Sequence, residues 1–156
     1  MTTSNDICDT LRDLAPRLNE TDKSASSAVE RIERFLSDQC KLELPSSTLV
    51  LQDEVDGSEL LLAYDQIGNT FRFVVVRRIP KRNSHGSIEL DQFGRSVIDR
   101  SEIKPWRECD RSTRFATLVA MPELLRVLAR TVTQAIDLGN RATSAVEQLL
   151  TKLPSE

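Results

Sequence analysis

Histidine, tryptophan and tyrosine each occur once in this chain, and aromatic residues make up only 4% of it. A single histidine, His85, leaves no set of imidazoles to hold a metal and no second group beside it for acid–base work. The three cysteines, Cys8, Cys40 and Cys109, are odd in number and far apart, with no Cys-x-x-Cys spacing. That excludes a disulfide framework or a zinc ribbon and fits a reducing, cytoplasmic setting. With only five glycines, neither Gly-x-x-x-x-Gly-Lys-Ser/Thr nor Gly-x-Gly-x-x-Gly occurs, and His-Glu-x-x-His and Gly-x-Ser-x-Gly are missing as well. No apolar run approaches the roughly 20 residues of a membrane span. The opening Met1–Asp6 carries no basic stretch of the kind that begins a secretory signal. These absences argue against an enzyme; no cofactor, metal or membrane is expected.

What is present is a long, regular helical pattern. From Leu125 to Leu153 the residues Leu125, Leu128, Val132, Ala135, Gly139, Ala142, Val146, Leu149 and Leu153 alternate steps of three and four. On a helix this draws one narrow coiled-coil-like seam. The seam is large at both ends and small at Ala135, Gly139 and Ala142, a waist where a second backbone can approach closely. Ile7, Leu11, Leu14, Leu18, Thr21, Ala25, Ala28, Ile32 and Phe35 repeat the rhythm and the size profile near the other end of the chain. Two matched stripes predict an antiparallel clasp, within one molecule or between two. The first helix is expected over about 5–41, broken near Leu14–Pro16 because an interior proline removes a backbone hydrogen bond, and capped by Ser4 or Asn5.

Between the helices the apolar period changes to two. Thr48–Val55, Ser58–Ile67 and Thr70–Ile79 read as three strands joined at Asp56-Gly57 and Gly68-Asn69, pairs suited to tight hairpin turns. Two-residue turns set Leu51 against Leu62 and Val75, Leu49 against Tyr64 and Phe73, Asp65 against Arg72, and Glu59 against Arg78. The opposite face gathers Val50, Leu61, Ala63, Val74 and Val76, framed by charge, and calls for a cover of its own. Asp53, Glu54, Asp56 and Glu59 fit an acidic hairpin tip better than a calcium loop. Residues 80–105 read as loop-rich, with a short strand at Ser87–Leu90 or Gly94–Ile98. Asp110 is placed to cap a helix carrying Arg111, Arg114, Phe115, Leu118 and Val119, and Pro122 and Glu123 to open the final helix, in a helical region 110–153. The whole, 1–156, is expected to be one α+β domain: an antiparallel three- to four-stranded meander over 48–79 and beyond, packed against long N- and C-terminal antiparallel helices.

Charge is unevenly spread. Residues 1–68 hold 6 basic and 14 acidic side chains, whereas 69–130 hold 13 basic and 7 acidic. No acidic residue lies between Phe71 and His85. Arg77, Arg78, Lys81, Arg82 and His85 are therefore candidates for gripping phosphates, or for neutralising the acidic half from inside the fold. Arg107, Arg111 and Arg114, at i, i+4 and i+7, can likewise hold an anion or pair with Glu30, Glu33 and Asp38 of the first helix.

Two stretches carry a resemblance. Leu14-Ala15-Pro16-Arg17-Leu18-Asn19-Glu20-Thr21 contains a Leu-Asn-Glu helix pattern. Trp106-Arg107-Glu108-Cys109-Asp110-Arg111-Ser112-Thr113-Arg114, followed by Met121-Pro122-Glu123-Leu124-Leu125, contains paired arginines after a tryptophan and a Pro-x-Leu-Leu start. Together they resemble a family of uncharacterised bacterial proteins of similar length, a resemblance that implies architecture and no activity. The function expected is a non-enzymatic protein-interaction module, an adaptor or small chaperone-like regulator that pairs with a protein partner or with itself as a homodimer. The alternative is a nucleic-acid-associated regulator using the basic 72–85 segment.

Overall fold

A computed structural model describes residues 4–151, with side chains from Ile7 onward; Leu153 of the final stripe and the Ser4 or Asn5 cap lie outside what it describes. Helix α1 (Ser4–Arg34) continues through a π-helical turn, Phe35–Gln39. Four strands follow, β1 (Ser46–Gln52), β2 (Glu59–Ile67), β3 (Thr70–Pro80) and β4 (Ile98–Pro105). They form one antiparallel sheet in the order β1-β2-β3-β4, a meander. A tight turn, Trp106–Glu108, leads to α2 (Arg111–Leu118) and α3 (Met121–Leu150). The fold is α+β, as the period change along the chain requires.

The β2–β3 hairpin has the register that its two-residue turn dictates. Gly68 takes φ +62°, and Asp65 faces Arg72, Tyr64 faces Phe73, Leu62 faces Val75 and Glu59 faces Arg78. The β1–β2 connection differs from expectation. Asp53 accepts hydrogen bonds from the backbone N–H groups of Val55 and Asp56, building a wider turn that closes with Asp53 N–H to the Ser58 carbonyl at 2.8 Å. The pairing consequently slides, Leu49 meets Leu61, and a bulge between Leu49 and Leu51 turns Val50 toward the helices. Leu49 and Leu51, expected in the core, are exposed.

Two further expectations are corrected. The fourth strand is Ile98–Pro105, which the expected Gly94–Ile98 segment meets only at Ile98; Ser87–Leu90 and the rest of that segment form the isolated bridges Arg82–Ile88 and Leu90–Ser96. Helix α1 also runs through Pro16 without a break. The carbonyl that proline leaves unbonded belongs to exposed Arg12, where water can satisfy it.

The main core lies on one face of the sheet. Leu62, Tyr64, Phe73 and Val75 meet Val29 and Leu36 from the first helical segment, and Met121, Leu124 and Leu128 from α3. Tyr64 lies 5.5 Å, centroid to centroid, from both Phe71 and Phe73, and its hydroxyl donates to the Leu42 carbonyl at 3.1 Å. Burial, aided by the charge of Glu33, pushes its phenol above the ordinary value. Trp106 is fully buried, and its Nε1–H donates to the Thr117 hydroxyl at 3.0 Å. Thr117→Val keeps the shape but leaves that indole donor without a partner. The expected cost is about 1–3 kcal/mol, read as a lower urea midpoint with an unchanged fold.

Candidate interaction surface

Only parts of the two long helices touch the sheet. Helix α3 packs on β1 and β2, and the Ser46 and Thr131 hydroxyls meet at 3.2 Å close to where the helix leaves the body. Every residue from Thr133 to Leu150 is exposed, including Ala135, Gly139 and Ala142. A Cβ built on Gly139 would meet nothing within 4 Å. At the other end of the chain Ile7, Leu11, Leu14 and Leu18 of α1 are 51%, 60%, 45% and 43% exposed. The expected clasp of the two stripes within one molecule is therefore not formed. The reason lies in the packing: α1 is held near its C-terminal end and α3 near its N-terminal end, so both free halves are arms.

The sheet's second face is also revised as a surface. Leu61, Ala63, Val74 and Val76 are each less than 10% exposed, and their apolar contacts come from the sheet itself, with Ile67. Short side chains on the two central strands are hemmed in by the register pairs Asp65–Arg72 and Glu59–Arg78. Val50, expected beside them, belongs to the helix side. These residues hold the fold together and offer little to a partner.

The arginines expected either to seek an anion or to pair internally are occupied. Arg107 reaches Glu33 at 2.9 Å and Glu30 at 3.7 Å; Arg111 reaches Asn19 at 2.9 Å and Asp22 at 3.3 Å; Arg114 grips Asp22 at 2.6 Å. Asp22 and Asn19, which the sequence pattern did not single out, take the place expected of Asp38. The Arg114 guanidinium also lies 5.7 Å from the Trp106 ring centroid. Asp110 caps α2 by accepting the Thr113 N–H at 2.9 Å, a bond that holds its carboxyl below the ordinary 3.8. Being depressed, that contribution is complete above the usual carboxylate range and is lost as pH falls through the lowered value.

The basic segment is paired in the same way. Arg77 lies 3.5 Å from Asp56, Arg78 3.9 Å from Glu59, and Lys81 3.0 Å from Glu89, while Arg82 donates to the Gly86 and Asp56 carbonyls. Arg72 faces Asp65 but bonds the Thr70 hydroxyl. His85 is exposed on a turn shaped by Asn83, whose side chain accepts from the His85 backbone N–H. Among the described residues no group of His, Cys, Asp and Glu is placed to hold a metal ion, and no described helix is long and apolar enough to cross a membrane. Comparison with protein-family models, curated proteins and solved structures gives no match.

Two measurements check this geometry. Asp22→Ala removes the acidic partner of the mostly buried Arg114 guanidinium and leaves Arg111 only Asn19, and is expected to lower stability by about 1.5–3 kcal/mol, seen in chemical denaturation. Cys8 and Cys40 are exposed, whereas Cys109 is buried, its thiol pushed up by burial. A thiol reagent at neutral pH should modify Cys8 and Cys40 quickly and Cys109 only on the timescale of unfolding.

Proposed function

We propose that this chain is a non-enzymatic protein-interaction module, an adaptor or small chaperone-like regulator, that self-associates by clasping the α1 arm of one copy against the α3 arm of another. The observation that carries this reading is the exposure of the outer parts of both matched stripes in a single chain, Ile7 to Leu18 on α1 and Ala135 to Leu149 on α3. An apolar seam with a shaved waist is costly to leave in water and has the size profile of a helix–helix contact. Ile7, Leu11, Leu14 and Leu18 on α1, with Ile136, Val146, Leu149 and Leu150 on α3, are each roughly half exposed. Burying the remaining half of each yields about 1 kcal/mol per side chain, on the order of 16 kcal/mol over two copies. That gross gain meets an association cost of about 4–15 kcal/mol, which suits a reversible dimer. A nucleic-acid role has less behind it, because the arginines and lysine of the 72–85 segment already hold partners within the chain.

The mass in solution tests the clasp. At tens of micromolar the wild-type protein should be a dimer by light scattering. Gly139→Leu should give a folded monomer: in a lone chain the new side chain meets open space and improves helix propensity by up to about 1 kcal/mol, whereas in a close helix pair it pushes the backbones apart. Gly139→Ala should keep the dimer. A wild-type monomer, or a dimer untouched by leucine at 139, overturns the reading.

A further inference from the structure

Strand β3 pairs with β2 from Thr70 to Arg78, but β4 accompanies it only as far as Val74–Pro105. Beyond Pro105 the chain turns away through Trp106–Glu108 to bury its indole, and Thr70–Phe73 are left without a strand on their outer side. The tight Gly68-Asn69 turn fixes the phase of this open edge. Ile67–Thr70 and Asp65–Arg72 exchange backbone hydrogen bonds, so Phe71 and Phe73 point their N–H and C=O groups outward. The molecule displays that phase itself: the Glu33 carboxylate accepts the Phe73 N–H at 2.7 Å, standing in for the missing strand. No described residue does the same for Phe71.

This edge is recessed. It floors a cleft of about 500 Å³ between β3, the end of the first helical segment and the Trp106–Glu108 turn, with Leu42 and Phe71 as apolar lining. Around the cleft Glu30 and Glu33 are matched by Arg34 and Arg107. Asp38, Glu43 and Glu108 line it with no described cation paired to them, and of the arginines lining the cleft only Arg72 is not already paired to a carboxylate. We propose that the cleft takes a short extended peptide segment of a partner protein, added as a strand at Phe71 beside the Glu33 carboxylate that keeps the Phe73 N–H, with apolar residues toward Leu42 and Phe71 and lysine or arginine toward the acidic rim. Only an extended backbone answers an open N–H and C=O on a sheet edge, and the uncompensated carboxylates select its charge. The outer edge of β4 is longer, but it alternates Asp99, Arg100, Glu102 and Lys104, charges of the kind that keep sheet edges apart. The site is independent of the helix clasp, lying on the body of a single copy.

The test titrates a blocked Val-Lys-Val-Lys-Val pentapeptide, its Val-Glu-Val-Glu-Val counterpart, and the lysine peptide N-methylated at alternate backbone nitrogens into the full, isotope-labelled chain. The expected result is saturable amide shifts and slowed hydrogen exchange centred on Thr70–Phe73. The glutamate peptide should bind about ten-fold more weakly, and N-methylation should abolish binding. The double variant Glu43→Lys, Glu108→Lys, both exposed positions, should weaken the lysine peptide while leaving the melting curve unchanged. Silence up to millimolar peptide, indifference to N-methylation, or shifts centred on the acidic face of α1 instead would overturn the proposal. Repeating the titration with Gly139→Leu separates the two readings: peptide binding that persists in a monomer stands on its own, and a dimer that ignores the peptide leaves the clasp standing.

Discussion

One buried indole joins three parts of this molecule. Trp106 sits where β4 stops, and its Nε1–H can be satisfied only if α2 brings Thr117 to it. With α2 fixed there, Arg111 and Arg114 fall opposite Asp22 of α1, and Arg114 lies over the same indole ring. Arg107, in the turn itself, reaches back to Glu33. The position of α1, the lift of the chain away from β3 and the cleft beside Phe71 all follow from where that side chain is buried.

The uneven charge of the two halves has a structural explanation. Arginines of the second half meet acids of the first in every layer: Arg107, Arg111 and Arg114 against Glu30, Glu33 and Asp22, and Arg77 and Arg78 against Asp56 and Glu59. Most of these pairs are partly exposed and individually weak. The Asp22–Arg114 contact is the shielded one, and it ties together elements about ninety residues apart in sequence.

How far each feature was legible depended on how local its cause is. The β2–β3 register could be read because Gly68-Asn69 is a self-contained turn. The β1–β2 register could not, because it hangs on a side chain: the Asp53 carboxylate widens the turn, and one bulge then sends Val50 to the other face. Strand β4, Ile98–Pro105, hid behind alternating charges that suit an exposed edge and imitate a loop. The helical stripes were plain, but not whether they meet, since that is decided by which end of each helix reaches the sheet. The cleft had no signal of its own. It exists because Pro105 ends one strand opposite the middle of another, a relation that appears only once both are paired.

Helix α3 is continuous in geometry but not uniform in stability. Its first turns, through Leu128, share the core, so their amides should be among the best protected in the domain. The outer stretch, Thr133 to Leu150, is exposed at every residue and carries Gly139 near its middle, about 1 kcal/mol poorer for helix than alanine. A helix of that length, left to itself in water, is close to the limit at which helices hold at all. In a lone chain the arm should therefore fray and re-form far faster than the domain unfolds, its amides exchanging almost unprotected. A partner that gripped it, as the proposed clasp requires, would have to order it first, so the glycine proposed to permit close approach would also make recognition by this arm a coupled folding event.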